Sequence, residues 1–125
     1  MKKVLVVEDD PSIRWLLKHL LRDRHEIIIK NNGLEAFSWL SVRNIPDLII
    51  SDIKMPFMDG FEFLENLSTS SLYKNIPVIM LTGFIEAETV KRCLELGAYS
   101  CLAKPFNPNE LFDQIASVFV SKMFL

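Results

Sequence analysis

Cysteine is nearly absent, neither sign of charge prevails, and no apolar run is long. Cys93 and Cys101 are too few for a disulfide framework and lack zinc-ligand spacing, so they read as two reduced thiols. Fourteen basic residues face sixteen acidic ones, and a net charge of −2 argues against a nucleic-acid footprint or a polybasic membrane patch. Lys2 and Lys3 precede a four-residue apolar run in the manner of a signal peptide, but Glu8-Asp9-Asp10 stops it far short of an h-region. No stretch approaches the roughly 20 apolar residues that span a bilayer. Repeats, low-complexity tracts and linkers are missing as well. The chain reads as soluble and cytoplasmic, with no direct nucleic-acid or membrane partner.

What is present is material for a core. Half of the 125 residues are hydrophobic, which excludes disorder and fits one domain over residues 1–125. A chain of this size buries roughly two-thirds of its unfolded surface without staples.

Short β-branched runs at residues 4–7, 26–30, 47–51, 77–81 and 99–103 alternate with segments of helical period at 11–22, 34–42, 60–67, 87–96 and 109–122. That alternation predicts an α/β fold, a parallel sheet with helices on both faces. After Asp47 the run Leu-Ile-Ile is continuously apolar, like the run beginning at Val78, as central strands require, whereas residues 26–30 are mixed and suit an edge. Boundary residues agree. Pro11 suits a first helical turn, Asn32-Gly33 separates the second strand from its helix, Gly97 closes the fourth helix, and Asn107-Pro108 opens the fifth. On the first helix Ile13, Leu16, Leu17, Leu20 and Leu21 form one apolar face and Trp15 lies opposite. On the fifth, Leu111, Phe112, Ile115, Val118, Phe119 and Met123 form the stripe, with Val120 and Phe124 outside it.

Ligands of an open parallel sheet bind beyond the carboxyl ends of its strands. There the first strand delivers Glu8, Asp9 and Asp10, the third Asp52, the fourth Thr82 and the fifth Lys104. Two carboxylates about 5 Å apart repel by roughly 3 kcal/mol at an effective dielectric of about 20. Glu8, Asp9 and Asp52 therefore need a cation or a raised pKa, and Lys104 offsets only one charge. The excess of oxygen donors suits Mg²⁺. Mg²⁺, an ammonium and a hydroxyl bind phosphoryl oxygens, and a carboxylate among them can act as nucleophile. Asp52, on a central strand between apolar residues, is the best-placed nucleophile, and the chemistry is reversible formation of an aspartyl phosphate. The plainer reading is an acidic rim with one salt bridge.

The segment Leu5-Val-Val-Glu-Asp-Asp-Pro-Ser-Ile-Arg14 resembles the first strand and acidic turn of the receiver domains of two-component response regulators. Ser51-Asp-Ile-Lys-Met-Pro-Phe-Met-Asp-Gly60 resembles their phosphorylation loop, and Ile79-Met-Leu-Thr-Gly83 their hydroxyl-bearing strand. Gly97-Ala98 and Lys104-Pro-Phe106 complete the set, and the likeness to chemotaxis-type regulators covers nearly the whole chain. The resemblance implies a flavodoxin-like, doubly wound, five-stranded parallel sheet of order 2-1-3-4-5 with five helices. It implies Asp52 as phosphoacceptor, Thr82 and Lys104 on the phosphoryl oxygens, and a cis Lys104-Pro105 bond. Asp9 would ligate Mg²⁺ (or Mn²⁺ as substitute) directly, Glu8 largely through water, and Asp52 and the Lys54 backbone carbonyl would join them. Asp10 would lie just beyond these ligands. Such a domain catalyses its own phosphorylation and dephosphorylation without being a conventional enzyme. Its donor would be a sensor histidine kinase or a histidine phosphotransfer protein, docking near Trp15, residues 10–14 and residues 106–108. Its output face would comprise the fourth helix, fifth strand and fifth helix, acting on an effector protein or output domain or through a phosphorylation-dependent dimer.

Two positions depart from the commonest pattern. Cys101 stands three residues before Lys104, where the family usually has Tyr or Phe, and Tyr99, two positions off, is expected on the same face. Lys54 is long, and its stem is expected to obstruct water attacking the acyl phosphate. His19 and His25 read as surface histidines. A dehalogenase-type phosphatase would need an acid where Lys54 stands, and a flavin binder would need a phosphate loop where three acids stand. A receiver-like interaction module that is never phosphorylated is the alternative. The chain ends at Leu125 with no linker, as expected of a stand-alone regulator or of a receiver cut from a longer protein.

Overall fold

The computed structural model describes residues 1–83 and 86–123. Five strands alternate with five helices: β1 (Lys2–Val7), α1 (Pro11–Leu21), β2 (His25–Lys30), α2 (Gly33–Ser41), β3 (Leu48–Asp52), α3 (Gly60–Ser68), β4 (Val78–Thr82), α4 (Ala87–Glu95), β5 (Ser100–Ala103) and α5 (Pro108–Met123). The sheet order is β2-β1-β3-β4-β5, and all four pairings are parallel. Both the topology and the edge position of β2 match the sequence expectation. Among the described residues no helix is long and apolar enough to cross a membrane.

Strand alternation splits the core into two layers. Val4, Val6, Leu48, Ile50, Ile79 and Leu81 point toward α1 and α5, where they meet Leu17, Leu21, Leu111, Ile115 and Val118. Leu5, Val7, Ile49, Val78 and Met80 point the other way, toward Ala36 and Leu40 of α2, Phe63, Leu64 and Leu67 of α3, and Cys93 of α4. Every residue of β3 and β4 is buried, which explains why those runs lack polar alternation.

Side-chain caps set the helix starts. Asp10 accepts from Ser12 N–H at 2.8 Å, Asn32 from Glu35 N–H at 2.9 Å, Asp59 from Glu62 N–H at 2.9 Å, and Asn107 from Asn109 N–H at 2.8 Å. Because Asn32 is the cap, α2 starts at Gly33, one residue before the periodicity places it. Gly97 ends α4 with φ +104°, while its own N–H reaches Leu94 O and that of Ala98 reaches Cys93 O, a Schellman closure that favours glycine there.

Two expectations change. Met123 belongs to the predicted apolar stripe of α5 but is the last residue of the helix and is 78% exposed. His25 is half-buried rather than superficial, its ring 5.9 Å from that of Phe119. Phe124, placed outside the stripe from sequence, lies outside the described residues.

Candidate phosphoacceptor site

Parallel strands bring their carboxyl ends to one rim, and β1, β3, β4 and β5 each deliver a polar side chain there. Glu8 follows β1 directly, its N–H still bonded to Lys30 O at 3.0 Å, and it is wholly buried. Asp9 is exposed. The Arg14 guanidinium donates to the carbonyls of Glu8 (3.1 Å) and Asp9 (2.8 Å), which fixes the turn that aims both acids. Asp52 is the last residue of β3 and is 7% exposed; its Oδ1 accepts from Ile53 N–H at 2.7 Å. Thr82 ends β4, buried and in register with Ala103.

Lys104 closes the group. Its N–H donates to Thr82 O at 2.7 Å, and the Lys104-Pro105 bond is cis, as the resemblance implies. The ammonium lies 2.6 Å from Glu8 Oε1 and 3.0 Å from Asp52 Oδ2. One carboxylate oxygen from each of Glu8, Asp9 and Asp52 lies within 4.8 Å of the others. Glu8 and Asp52 thus share one ammonium, with the Asp9 carboxylate alongside. Burial, together with the nearby Asp52 carboxylate, pushes Glu8 up from 4.5 to about 8 despite the opposing pull of Lys104. Burial also acts against the charged Lys104, but its hydrogen bonds to Glu8 and Asp52 outweigh that and raise its pKa.

These residues fit a divalent cation. Glu8 Oε2 is buried and has no hydrogen-bond partner, an orphan acceptor beside two further carboxylates. The donor set is all oxygen, the chemistry Mg²⁺ prefers. Asp10 is drawn away from this set, because its carboxylate caps α1. Lys54 is exposed and lines, with Asp9, Met55 and Arg92, a cleft of ≈ 570 Å³ beside the acids.

The loop between β3 and α3 carries a residue whose role sequence reasoning missed. Gly60 N–H reaches Ile53 O at 2.6 Å, so the loop closes at its base. A Cβ on Gly60 would sit 2.4 Å from Asp52 O and 2.6 Å from Ile53 Cα, so the backbones meet only because no side chain intervenes. Asp59, the capping acid just before it, was the available signal. Arg14 lay inside a quoted motif, yet its clamp on two carbonyls has no sequence signature.

Farther out, Trp15 is 65% exposed and stacks on His19, ring centroids 5.0 Å apart. Cys101 packs among the residues of the α2–α4 layer beside Cys93, and burial pushes its thiol up to about 12. Tyr99 does not share that direction. It precedes β5, and its hydroxyl meets Ser117 Oγ of α5 at 2.5 Å, because strand alternation does not extend to a residue outside the strand.

A family model described as the response regulator receiver domain matches residues 4–116. The chain is 34% identical over 115 residues to sporulation initiation phosphotransferase F of Bacillus subtilis, covering 91% of this chain and 90% of that protein. It is 38% identical over 111 residues to the two-component response regulator-like PRR37 of Oryza sativa subsp. indica, covering 87% of this chain but only 15% of that protein's length. Among solved structures, the chemotaxis response regulator CheY4 of Vibrio cholerae aligns with a TM-score of 0.86 and 39% identity, over 94% of this chain and 98% of that one.

Proposed function

This chain belongs to the response regulator receiver domain family, and from that premise we propose that it accepts a phosphoryl group on Asp52 from a partner's phosphohistidine, with Mg²⁺ as cofactor. The observation that carries this reading is the Lys104 ammonium shared between the Glu8 and Asp52 carboxylates, with Asp9 alongside and one Glu8 oxygen unpaired. Glu8, Asp9, Asp52 and the Lys54 carbonyl are the residues to hold the metal. When bound, Mg²⁺ supplies positive charge to the phosphoryl oxygens.

The chain's own residues supply the rest. An Asp52 oxygen attacks phosphorus, the N–P bond breaks, and the bonding pair returns to the histidine nitrogen, whose ring leaves neutral with its other nitrogen protonated. Lys104 lies within reach of the charge that arrives on Asp52, and because Glu8 and Asp52 raise its pKa it stays protonated over the physiological range. Thr82, at the end of the neighbouring strand, is the hydroxyl for a phosphoryl oxygen. Once charge arrives, Lys104 and Thr82 shift, and three contacts favour the face formed by α4, β5 and α5 as the output. Lys104 N–H ties β5 to Thr82, Cys101 abuts Cys93 on α4, and Tyr99 meets Ser117 on α5. Partners are a cytoplasmic histidine kinase or phosphotransfer protein and an effector or output domain.

Mass spectrometry after incubation with acetyl phosphate tests the reading. The expected result is a gain of one phosphoryl group, requiring Mg²⁺ and absent in Asp52→Asn. No gain in the wild-type protein refutes it and leaves the interaction-module alternative.

A further inference from the structure

Phe57 stands out in the loop between β3 and α3. Its φ is +70°, and the N–H of Met58 donates to Pro56 O at 2.8 Å. A hydrogen bond across one residue of positive φ is the classic γ-turn, a rare and strained form that disfavours a Cβ-bearing centre. The residues on either side are anchored: Met55 and Met58 pack against the core layer of α2 and α3, and the Met58 side chain fills the space over Gly33. The turn therefore throws the intervening ring outward, and Phe57 is 82% exposed. A strained backbone here presents a large apolar side chain to solvent, at two separate costs to the isolated domain.

Position explains what those costs serve. The loop closes at its base on Ile53, the residue after Asp52, so its tip stands at the same end of the sheet as the nucleophile. Asp52 is recessed, with only 7% of its surface exposed. A histidine carried on a protein reaches it only if the surrounding protein surface comes down on the rim, where the tip of this loop lies. Lys54, on the same loop, adds a cation next to that approach. Buried aromatic anchors at the centre of a contact supply much of the binding energy.

We propose that Phe57 is the apolar anchor on which a phosphohistidine-bearing protein seats to deliver phosphate to Asp52. This rests on the phosphoacceptor reading above and adds to it a residue that selects protein donors over small ones. The test compares two donors. Phosphohistidine domains are purified as a set, and those that label the wild-type chain are used alongside acetyl phosphate. In Phe57→Gly the melting temperature rises by a few degrees as the strain is relieved. Labelling by acetyl phosphate stays within twofold of wild type, while transfer from the protein donors falls at least tenfold at low concentration and recovers as donor concentration rises. Phe57→Leu restores much of that transfer. Wild-type transfer rates in Phe57→Gly overturn the proposal while the phosphoacceptor reading stands. Failure of acetyl phosphate to label the wild-type chain overturns both.

Discussion

Asp52→Asn removes one charge from the acidic cluster and keeps its shape, so its effect on stability can be worked from the distances. With metal chelated, the mutation forfeits attraction to Lys104 at 3.0 Å and relieves repulsion from Glu8, whose oxygen lies within 4.8 Å. At an effective dielectric of about 20 the first is roughly 5.5 kcal/mol and the second roughly 3.5 kcal/mol. The attraction persists at every pH where Lys104 is charged. The repulsion exists only once Glu8 has lost its proton, which in the folded protein happens near pH 8 against 4.5 for the ordinary group. Between those values the native state holds a proton that the unfolded state has released, so wild-type stability falls as pH rises from about 4.5 to about 8. In Asp52→Asn the Glu8 carboxyl ionises more readily and the fall is shallower. Contributions from Lys104, Asp9 and desolvation of Asp52 largely cancel when one pH is subtracted from another. The stability of Asp52→Asn relative to wild type should therefore improve by roughly 2–3 kcal/mol from pH 6 to pH 9, less than the full repulsion because ionisation is partial at the lower pH. Urea denaturation in EDTA at both pH values measures it. A difference that stays level with pH would refute the claim that Glu8 and Asp52 share one electrostatic site. Saturating Mg²⁺ should flatten the wild-type pH dependence, since the cation replaces the proton.

Two further predictions concern the loop that carries Asp52. Gly60→Ala places a Cβ against Asp52 O and should cost roughly 1–3 kcal/mol of stability while slowing labelling, because the backbone that aims the nucleophile must move; denaturation curves overlapping wild type would contradict the close approach. Lys54→Ala should shorten the lifetime of the phosphorylated protein several-fold if its stem screens the acyl phosphate from water. Phosphate release from the labelled, purified protein measures that lifetime, and an unchanged rate dismisses the screening role.

Much of the architecture was legible because its signals are local. The apolar runs beginning at Leu48 and Val78 read as central strands and are buried throughout. Gly97 and Asn107 end and begin helices where their backbone and side-chain chemistry predicts. The site was legible for a different reason: strand ends in a parallel sheet must converge, so acids just after β1 and at the end of β3 and a lysine after β5 had to meet. Asp10 shows the limit of that argument. The resemblance sets its carboxylate just beyond the metal ligands, and what holds it there is the helix beginning at Pro11, whose Ser12 N–H it caps. Tyr99 was misjudged because strand periodicity was carried past the end of β5, and Met123 because the apolar stripe was carried to the last residue of α5.

Order along the chain determined the alternation of strands and helices, the parallel sheet and the list of groups at its rim, since periodicity, caps and strand polarity act over a few residues. Tertiary structure alone decided that Glu8 is sealed with one oxygen unpaired, that a single lysine serves two carboxylates, and that Phe57 is held outward by a strained turn. Those outcomes depend on which distant backbones come into contact and how closely, and no local pattern encodes a distance between segments that are remote in the chain.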